Sequence, residues 1–413
     1  MVATRVFWFF VTMQGVRAGS GGRGGGGSGV KCGDELGAQC HAHEDETSVL
    51  QVRAAARPAQ TSSGGPSFYE TPLNLQGDSL FSVNVYSDAF NTHDQRLALL
   101  LDTGSAGMSV PAQCVQDNVK VIQKDTLDEW NNKCDFVSSK IWVMDFDQQT
   151  LAVEDFRFFR CNRTQSVICN GPLMGRNSGI VGGMPGYMGT RKDGLTLASA
   201  LAKEFGANYG HGVKAWRTGS DVEWSGSELS ASLLIGDPYD NMVWRDDVGS
   251  WPGPLNNSWR GALTPGLSVT LHNSDGSEFA RHEGPAFIDT GAPELQFVDA
   301  DLFNDQSRSV KCPFPDWAVQ KTNRHCVWDA TAKFTFEGSD GTQLEWSVDL
   351  PDPAQSKERF STAIVCLDGS SPTGCSWTPN NDPSVYHPGS GIFFGVQMVY
   401  WDAAKERVGI APL

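Results

Sequence analysis

The sequence predicts a mainly β protein. Three observations carry that reading: apolar residues alternate with polar ones or run in short stretches, turn residues punctuate them, and helical periodicity is scarce. The 45 glycines, 21 prolines, 13 tryptophans and 22 phenylalanines describe a turn-rich, aromatic-rich chain rather than a helical bundle. Apolar residues make up 39% and charged residues 19% of the 413, which excludes global disorder and leaves length enough for two lobes. Acids outnumber bases 48 to 32, for a net charge of −16. No nucleic-acid partner is therefore expected, since one would need a basic surface.

Residues 1–18 read as a signal peptide. Arg5 is the positive region, VFWFFVTM at 6–13 the short apolar stretch, and Val16 and Ala18 the small residues before cleavage. Beyond it no run approaches the roughly 18 apolar residues of a membrane span, so no transmembrane anchor is expected. Residues 19–66 read as a Gly-rich linker or prosegment, with GSGGRGGGGSGV at 19–30 and TSSGGP at the end. From Ser67 the pattern becomes that of strands. Phe81, Val83 and Val85 alternate with polar residues, and Leu97–Leu101 is a buried-type apolar run. Val153, Phe156 and Phe158 mark another strand, as do Leu267–Leu271, Thr331–Phe336 and Ile392–Val396. The clearest helix runs over Thr196–Phe205: Leu197, Leu201 and Phe205 recur every fourth residue, with Thr196 as cap and Gly206 as stop.

An even count of ten cysteines in an exported chain reads as disulfides. Proximity pairs Cys32 with Cys40, Cys114 with Cys134, and Cys161 with Cys169. Cys312, Cys326, Cys366 and Cys375 leave three pairings open. Cys32, Cys40, His41 and His43 lack a standard ligand spacing, so no metal site is expected. Asn162-Arg-Thr and Asn256-Asn-Ser are glycosylation sequons.

One internal repeat carries chemistry. LALLLDTGS occupies 97–105 and PAFIDTGA occupies 285–292, each an apolar strand running into Asp-Thr-Gly, with Asp289 lying 187 positions after Asp102. Chance places two such tripeptides in a chain of this length roughly once in a thousand times. A strand-to-turn Asp-x-Gly explains either copy alone, but not both.

With these motifs the chain resembles the pepsin-like aspartic proteases from about Tyr69 to Leu413. GIVGG at 179–183 and GIFFG at 391–395 match the family's hydrophobic-hydrophobic-Gly elements, and MSVP at 108–111 matches the segment after the first turn. SLLIGDPYDN at 232–241 is similar to the lobe-crossing stretch, and VYWDAAKERVGIAPL at 399–413 to the last hairpin. The resemblance implies a bilobal pepsin-like acid protease fold with pseudo-twofold related β lobes, 67–250 and 251–413, and a few short helices. It implies an aspartic endopeptidase in which Asp102 and Asp289 activate a water, with no cofactor and no covalent intermediate. Gly104 and Gly291 would allow the tight turns. Thr103 and Thr290 would bond across the lobes, and Ser105 would bond the outer oxygen of Asp102.

Two departures stand out. Ala292 replaces a Thr or Ser and offers the outer oxygen of Asp289 no hydrogen bond. KIWVMDFDQQTLAVEDF at 140–156, aligned with the family's flap, lacks its glycines and puts Trp142 near the flap Tyr. Trp142 fits a core strand residue equally well. Ser109 stands where the family has a Trp that partners the flap. The resemblance also favours Cys326–Cys366, with the local pairings Cys312–Cys326 and Cys366–Cys375 as the rival. Residues 31–66 are not Lys-rich, unlike the family's prosegment. A secreted or vacuolar/lysosomal monomer is expected, acting on protein or peptide substrates and bound by pepstatin-like inhibitors. A catalytically inactive binding protein on the same fold is the second reading, because fold does not settle function.

Overall fold

The computed structural model describes residues 68–76, 80–105, 107–128, 132–162, 169, 180–182, 196–206, 210–217, 229–238, 240–252, 260–292, 294–311, 324–327, 329–350, 363–366, 386, 388–389, 396–402 and 405–412. The signal-peptide and linker segments, Cys32, Cys40, the sequon at Asn256 and GIFFG lie outside the described residues.

The chain opens with an antiparallel run of β1 (Phe68–Gln76), β2 (Leu80–Tyr86) and β3 (Arg96–Asp102). Phe81, Val83 and Val85 are fully buried on β2, as their alternation predicts. Leu97, Leu99, Leu100 and Leu101 are all buried on β3, which is covered on both faces and ends in Asp102. Next come β4 (Met108–Pro111), β5 (Lys120–Leu127), β6 (Lys133–Met144) and β7 (Thr150–Cys161), stacked in the order β4-β7-β6-β5. β8 (Ile180–Gly182) slots between β3 and β4, parallel to the first and antiparallel to the second. β5 is a sheet edge. Its pairing with β6 slips register twice, and Asp125 takes a left-handed φ of 51°. These irregularities blunt an edge that would otherwise invite pairing.

α1 (Leu197–Phe205) forms as the periodicity predicts. Thr196 Oγ1 accepts the Ser199 N–H at 3.1 Å, and Gly206 ends the helix at φ 76°. β9 (Gly210–Arg217) and β10 (Leu229–Gly236) carry the sheet on from β1.

The later half contains β11 (Val243–Arg245), β12 (Gly249–Pro252), β13 (Arg260–Thr264), β14 (Leu267–Asn273), β15 (Glu278–Glu283), β16 (Ala286–Phe287) and β17 (Leu295–Val298). After α2 (Ala300–Asn304) follow β18 (Ser309–Lys311), β19 (Arg324–Val327), β20 (Ala330–Glu337), β21 (Gln343–Leu350) and β22 (Ala363–Cys366). The last hairpin, β23 (Val396–Asp402) and β24 (Arg407–Pro412), returns to the first sheet, with β23 beside β9 and β24 beside β11.

The repeat seen in the tripeptides extends to topology. β17-β22-β19-β18 copies the order β4-β7-β6-β5, with the same parallel pair at one end. Pro111 stands opposite Cys161 and Val298 opposite Cys366, so the offset that relates the two Asp residues also relates these two strands.

The disulfides correct the pairing by proximity. Cys114 bonds Cys169, and Cys134 bonds Cys161, instead of Cys114–Cys134 and Cys161–Cys169. The reason is register: Cys134 and Cys161 face one another directly across β6 and β7. Cys326 is buried and disulfide-bonded. The side chain of Cys366, with Cys312 and Cys375, lies outside the described residues.

Candidate active site

Each Asp-Thr-Gly ends an apolar strand and folds into a tight turn. In the first, Ser105 N–H donates to the Asp102 carbonyl at 3.0 Å; in the second, Ala292 N–H donates to the Asp289 carbonyl at 3.1 Å. Inside each turn the glycine amide donates to the aspartate's own carboxylate: Gly104 N to Asp102 Oδ1 at 2.9 Å, Gly291 N to Asp289 Oδ1 at 2.8 Å. The turn therefore aims the carboxylate with a backbone donor, as a charged acceptor in a buried place requires.

Thr103 and Thr290 lock the two turns together. Thr290 Oγ1 accepts Thr103 N–H at 3.0 Å and donates to the Leu101 carbonyl at 2.7 Å. Thr103 Oγ1 accepts Thr290 N–H at 2.9 Å and donates to the Ile288 carbonyl at 2.8 Å. All four bonds are buried, and each hydroxyl uses both its donor and an acceptor lone pair. The lock brings the two carboxylates face to face. A β-carbon built on Gly104 would stand 2.7 and 2.9 Å from the Asp289 oxygens, and one on Gly291 would stand 2.5 and 2.7 Å from those of Asp102. Only glycine fits at either position, because each carboxylate occupies the space beside the opposite turn. Asp102 and Asp289 are 1% and 4% exposed, burial that keeps the pair out of bulk water.

The turns differ at one atom. Ser105 Oγ donates to Asp102 Oδ2 at 2.8 Å. Ala292, equally buried, has only a methyl group there. Asn162, the residue after β7, is exposed.

Trp142 takes the strand position that was one of its two expected places. Trp142 lies on β6, half-buried, with its ring stacked on Tyr86 at 6.0 Å. The 140–156 hairpin is β6–β7, and its tip is fastened to β1. Tyr69 Oη donates to the Gln149 carbonyl at 2.7 Å, and Thr71 Oγ1 to the Met144 carbonyl at 2.8 Å. Burial, and next the Asp145 carboxylate, hold the Tyr69 phenol protonated above its usual range. Asp145 Oδ1 accepts the Asp147 and Gln149 amides at 2.8 Å each, making an Asx turn with no glycine. β6 is shared by two hairpins, and its 12 residues span about 36 Å, so their tips lie at opposite ends.

Asp128, which follows β5, reaches the strand leaving the first Asp turn and is 3% exposed. Asp128 Oδ1 accepts Asn132 N–H at 2.8 Å; Oδ2 accepts Asn132 Nδ2 at 2.9 Å and Ser109 Oγ at 3.4 Å. Sequence reasoning missed Asp128. Its signal was an Asp opening the polar stretch DEWNN at 128–132. Asp128, Cys134 and Cys161 bring three ligand-type atoms within 4.8 Å, but the two sulfurs are joined to each other.

No protein-family model matches the chain, and no curated protein sequence matches it. Solved structures do. Basic 7S globulin from soybean is similar over 84% of this chain and 95% of its own, with TM-score 0.50 and 14% identity. The protein edgp is similar over 85% of this chain and 96% of its own, with TM-score 0.51 and 12% identity. These likenesses concern the fold, which is pepsin-like and mainly β.

Proposed function

We propose that this pepsin-like fold houses an aspartic endopeptidase whose working groups are Asp102 and Asp289. The observation that carries the reading is the locked pair of turns: two buried carboxylates face each other, each aimed by its own glycine amide. Two carboxylates so close share one proton and act as a coupled pair. The ionised member takes a proton from a water held between them, and that water attacks the peptide carbonyl carbon while the protonated member gives its proton to the carbonyl oxygen. The carboxyl that took the water's proton then gives it to the amide nitrogen, the C–N bond breaks to release the amine, and a hydroxyl proton of the diol returns to the other carboxylate as the acid forms. Thr103 and Thr290 touch no substrate; they keep the two carboxylates in register. Export through the secretory route, action as a monomer, and binding of pepstatin-like inhibitors belong to the same proposal, and the two disulfides support the oxidising route.

The second reading is a binding protein on this fold with cleavage lost. The comparisons lean toward it, since the two neighbours are known as a globulin and as edgp, neither name that of a peptidase. The second turn, lacking a donor at Ala292, also favours it.

One experiment separates the two. Cleavage of a denatured protein is followed from acid to neutral pH, with and without pepstatin, for the wild type and Asp102→Asn. The peptidase reading expects acid-dependent cleavage that pepstatin and the substitution both remove. A folded wild type that never cleaves supports the binding protein.

A further inference from the structure

We propose that the polar hollow beside the end of β7 holds the inner sugars of an N-glycan carried on Asn162. The inference goes beyond the peptidase reading. It rests on the export part of that proposal and on geometry that no catalytic group enters.

The hollow measures about 540 Å³. Its walls are the turn at 88–91 and the segment 112–118, stitched together through their backbones. Asn91 N–H donates to the Cys114 carbonyl at 2.9 Å, Gln116 N–H donates to the Ala89 carbonyl at 2.8 Å, and Phe90 bridges to Val115. Gln116 Nε2 adds a bond to the Asp88 carbonyl at 2.9 Å. Cys114, inside the second wall, is cross-linked to Cys169. The hollow is therefore preformed, and a ligand need not order it. Its lining is rich in carboxamides: Asn91, Gln113, Gln116 and Asn118, with Ala112 and Val115 as apolar neighbours. A carboxamide both donates and accepts, which is what sugar hydroxyl and acetamido groups need. Among the described residues no cation lines the hollow. Arg160, beside it, is engaged by Asp135 at 2.6 Å and Asp117 at 3.8 Å, so an anion finds no counter-charge there. The chemistry fits a neutral saccharide.

The occupant is supplied by β7. Alternate residues of a strand share a face. Phe158 meets Phe90, with ring centres 6.3 Å apart. Two residues on, Arg160 Nη1 donates to the Gln116 carbonyl at 3.5 Å. Two further on stands Asn162, and its N–H donates to the Lys133 carbonyl at 3.1 Å, so the ladder with β6 still holds the backbone there. Cys161, between them, turns the other way to Cys134. Pro111 pairs with Cys161, which puts Ala112 of the hollow next to Asn162. Asn162 is exposed and begins the sequon Asn-Arg-Thr. A polar dent ordinarily holds water. This one has a glycan acceptor at its rim, and sugars seated in it brace the 112–118 segment.

The test uses the full-length protein expressed with its own leader in eukaryotic cells. Glycopeptide mass spectrometry reads the occupancy of Asn162. An endoglycosidase that cuts between the first two N-acetylglucosamines is applied to native and to denatured protein. Hydrogen exchange at the 112–119 amides is measured in the wild type, Asn162→Gln and Thr164→Ala, the last of which removes the glycan and keeps the asparagine. The proposal expects an occupied Asn162, a glycan cut about tenfold more slowly in native than in denatured protein, and exchange about tenfold faster at 112–119 in both glycan-free variants. It also expects Asn91→Ala and Asn118→Ala to keep the glycan and to bring the native cutting rate toward the denatured one. Protein recovered from the medium with a bare Asn162 overturns the inference and leaves export standing. Protein kept in the cytosol with residues 1–18 attached overturns export and the inference together. A glycan cut equally fast in both forms, or 112–119 exchange unchanged by its loss, overturns the seat in the hollow. None of these readouts depends on peptidase activity.

Discussion

The two halves of the molecule repeat one plan with different polar fittings. In the first half the turn has Ser105 behind Asp102, and Ser109 on β4 reaches out to another element. In the second half Ala292 stands behind Asp289. Gln296, at the position matching Ser109, keeps to its own strand, donating to Glu294 Oε2 at 3.2 Å. Gln296 Oε1 is buried without a hydrogen-bond partner among the described residues. What is held in common, two strands, two turns and two threonines, is what places the carboxylates. What differs is what surrounds them.

That comparison breaks most sharply at the carboxylates. Asp102→Asn and Asp289→Asn should each lower kcat by on the order of 10^3-fold, with circular dichroism unchanged, because neither half works alone. Wild-type turnover in either variant would sink the shared-proton pair. A second effect is confined to the first half. Replacing Cys114 and Cys169 together by Ser should cost about 4 kcal/mol of stability in the chain-entropy picture, read from urea unfolding. Peptide mapping without reductant checks the pairing first.

The lock between the turns ranks next. Thr103→Val and Thr290→Val should each cost roughly 2–4 kcal/mol, since each leaves a buried N–H and a buried carbonyl without a partner. A double-mutant cycle should show strong coupling; additivity would mean the halves are held together elsewhere. Making the turns alike is a finer probe. Ser105→Ala should cost about 1.5–3 kcal/mol of stability by removing a bond to a carboxylate, whereas Ala292→Ser should cost less than about 1 kcal/mol. Equal effects would mean the asymmetry at the turns has no energetic content.

The smallest expected effect is a pH dependence. Asp135 on β6 pairs with Arg160, opposite it on β7, at 2.6 Å, and the hydrogen bond from Arg160 is the main cause holding its carboxyl below the usual range. A depressed carboxylate contributes stability that is present above its unfolded-state value and lost as pH falls through the folded-state value. Asp135→Asn should therefore cost about 0.5–1 kcal/mol at neutral pH, and the difference should vanish in strong acid. A difference that persists in acid would locate the effect in packing instead.

Local patterns made much of this legible beforehand. The alternation in β2, the leucine run of β3, the spacing and caps of α1, and the twin Asp-Thr-Gly turns each sit within a few residues of sequence. What escaped was register between distant segments. Cys134 faces Cys161 because two long strands align, and nothing local to either residue says so. Periodicity is silent for the same reason on β6, which belongs to two hairpins, so nothing local says which of them a given residue serves. Ser109 stands out in the sequence as a departure, but nothing local to it names Asp128, 19 positions on, as a partner.

The sheet that receives the last hairpin has a kinetic consequence. Val213 of β9 pairs with Val399 of β23, so one of its ladders joins segments separated by nearly half the chain. While the protein is being made, β10 and β1 can meet as soon as both have been synthesised, but β9 keeps an open edge until β23 arrives. Closing so long a loop is entropically slow. The first half therefore spends its early life with one exposed ladder of backbone donors and acceptors, and the final step of maturation is the docking of a hairpin of fewer than 20 residues. Any factor that binds the open edge of β9 during that interval competes with the chain's own end.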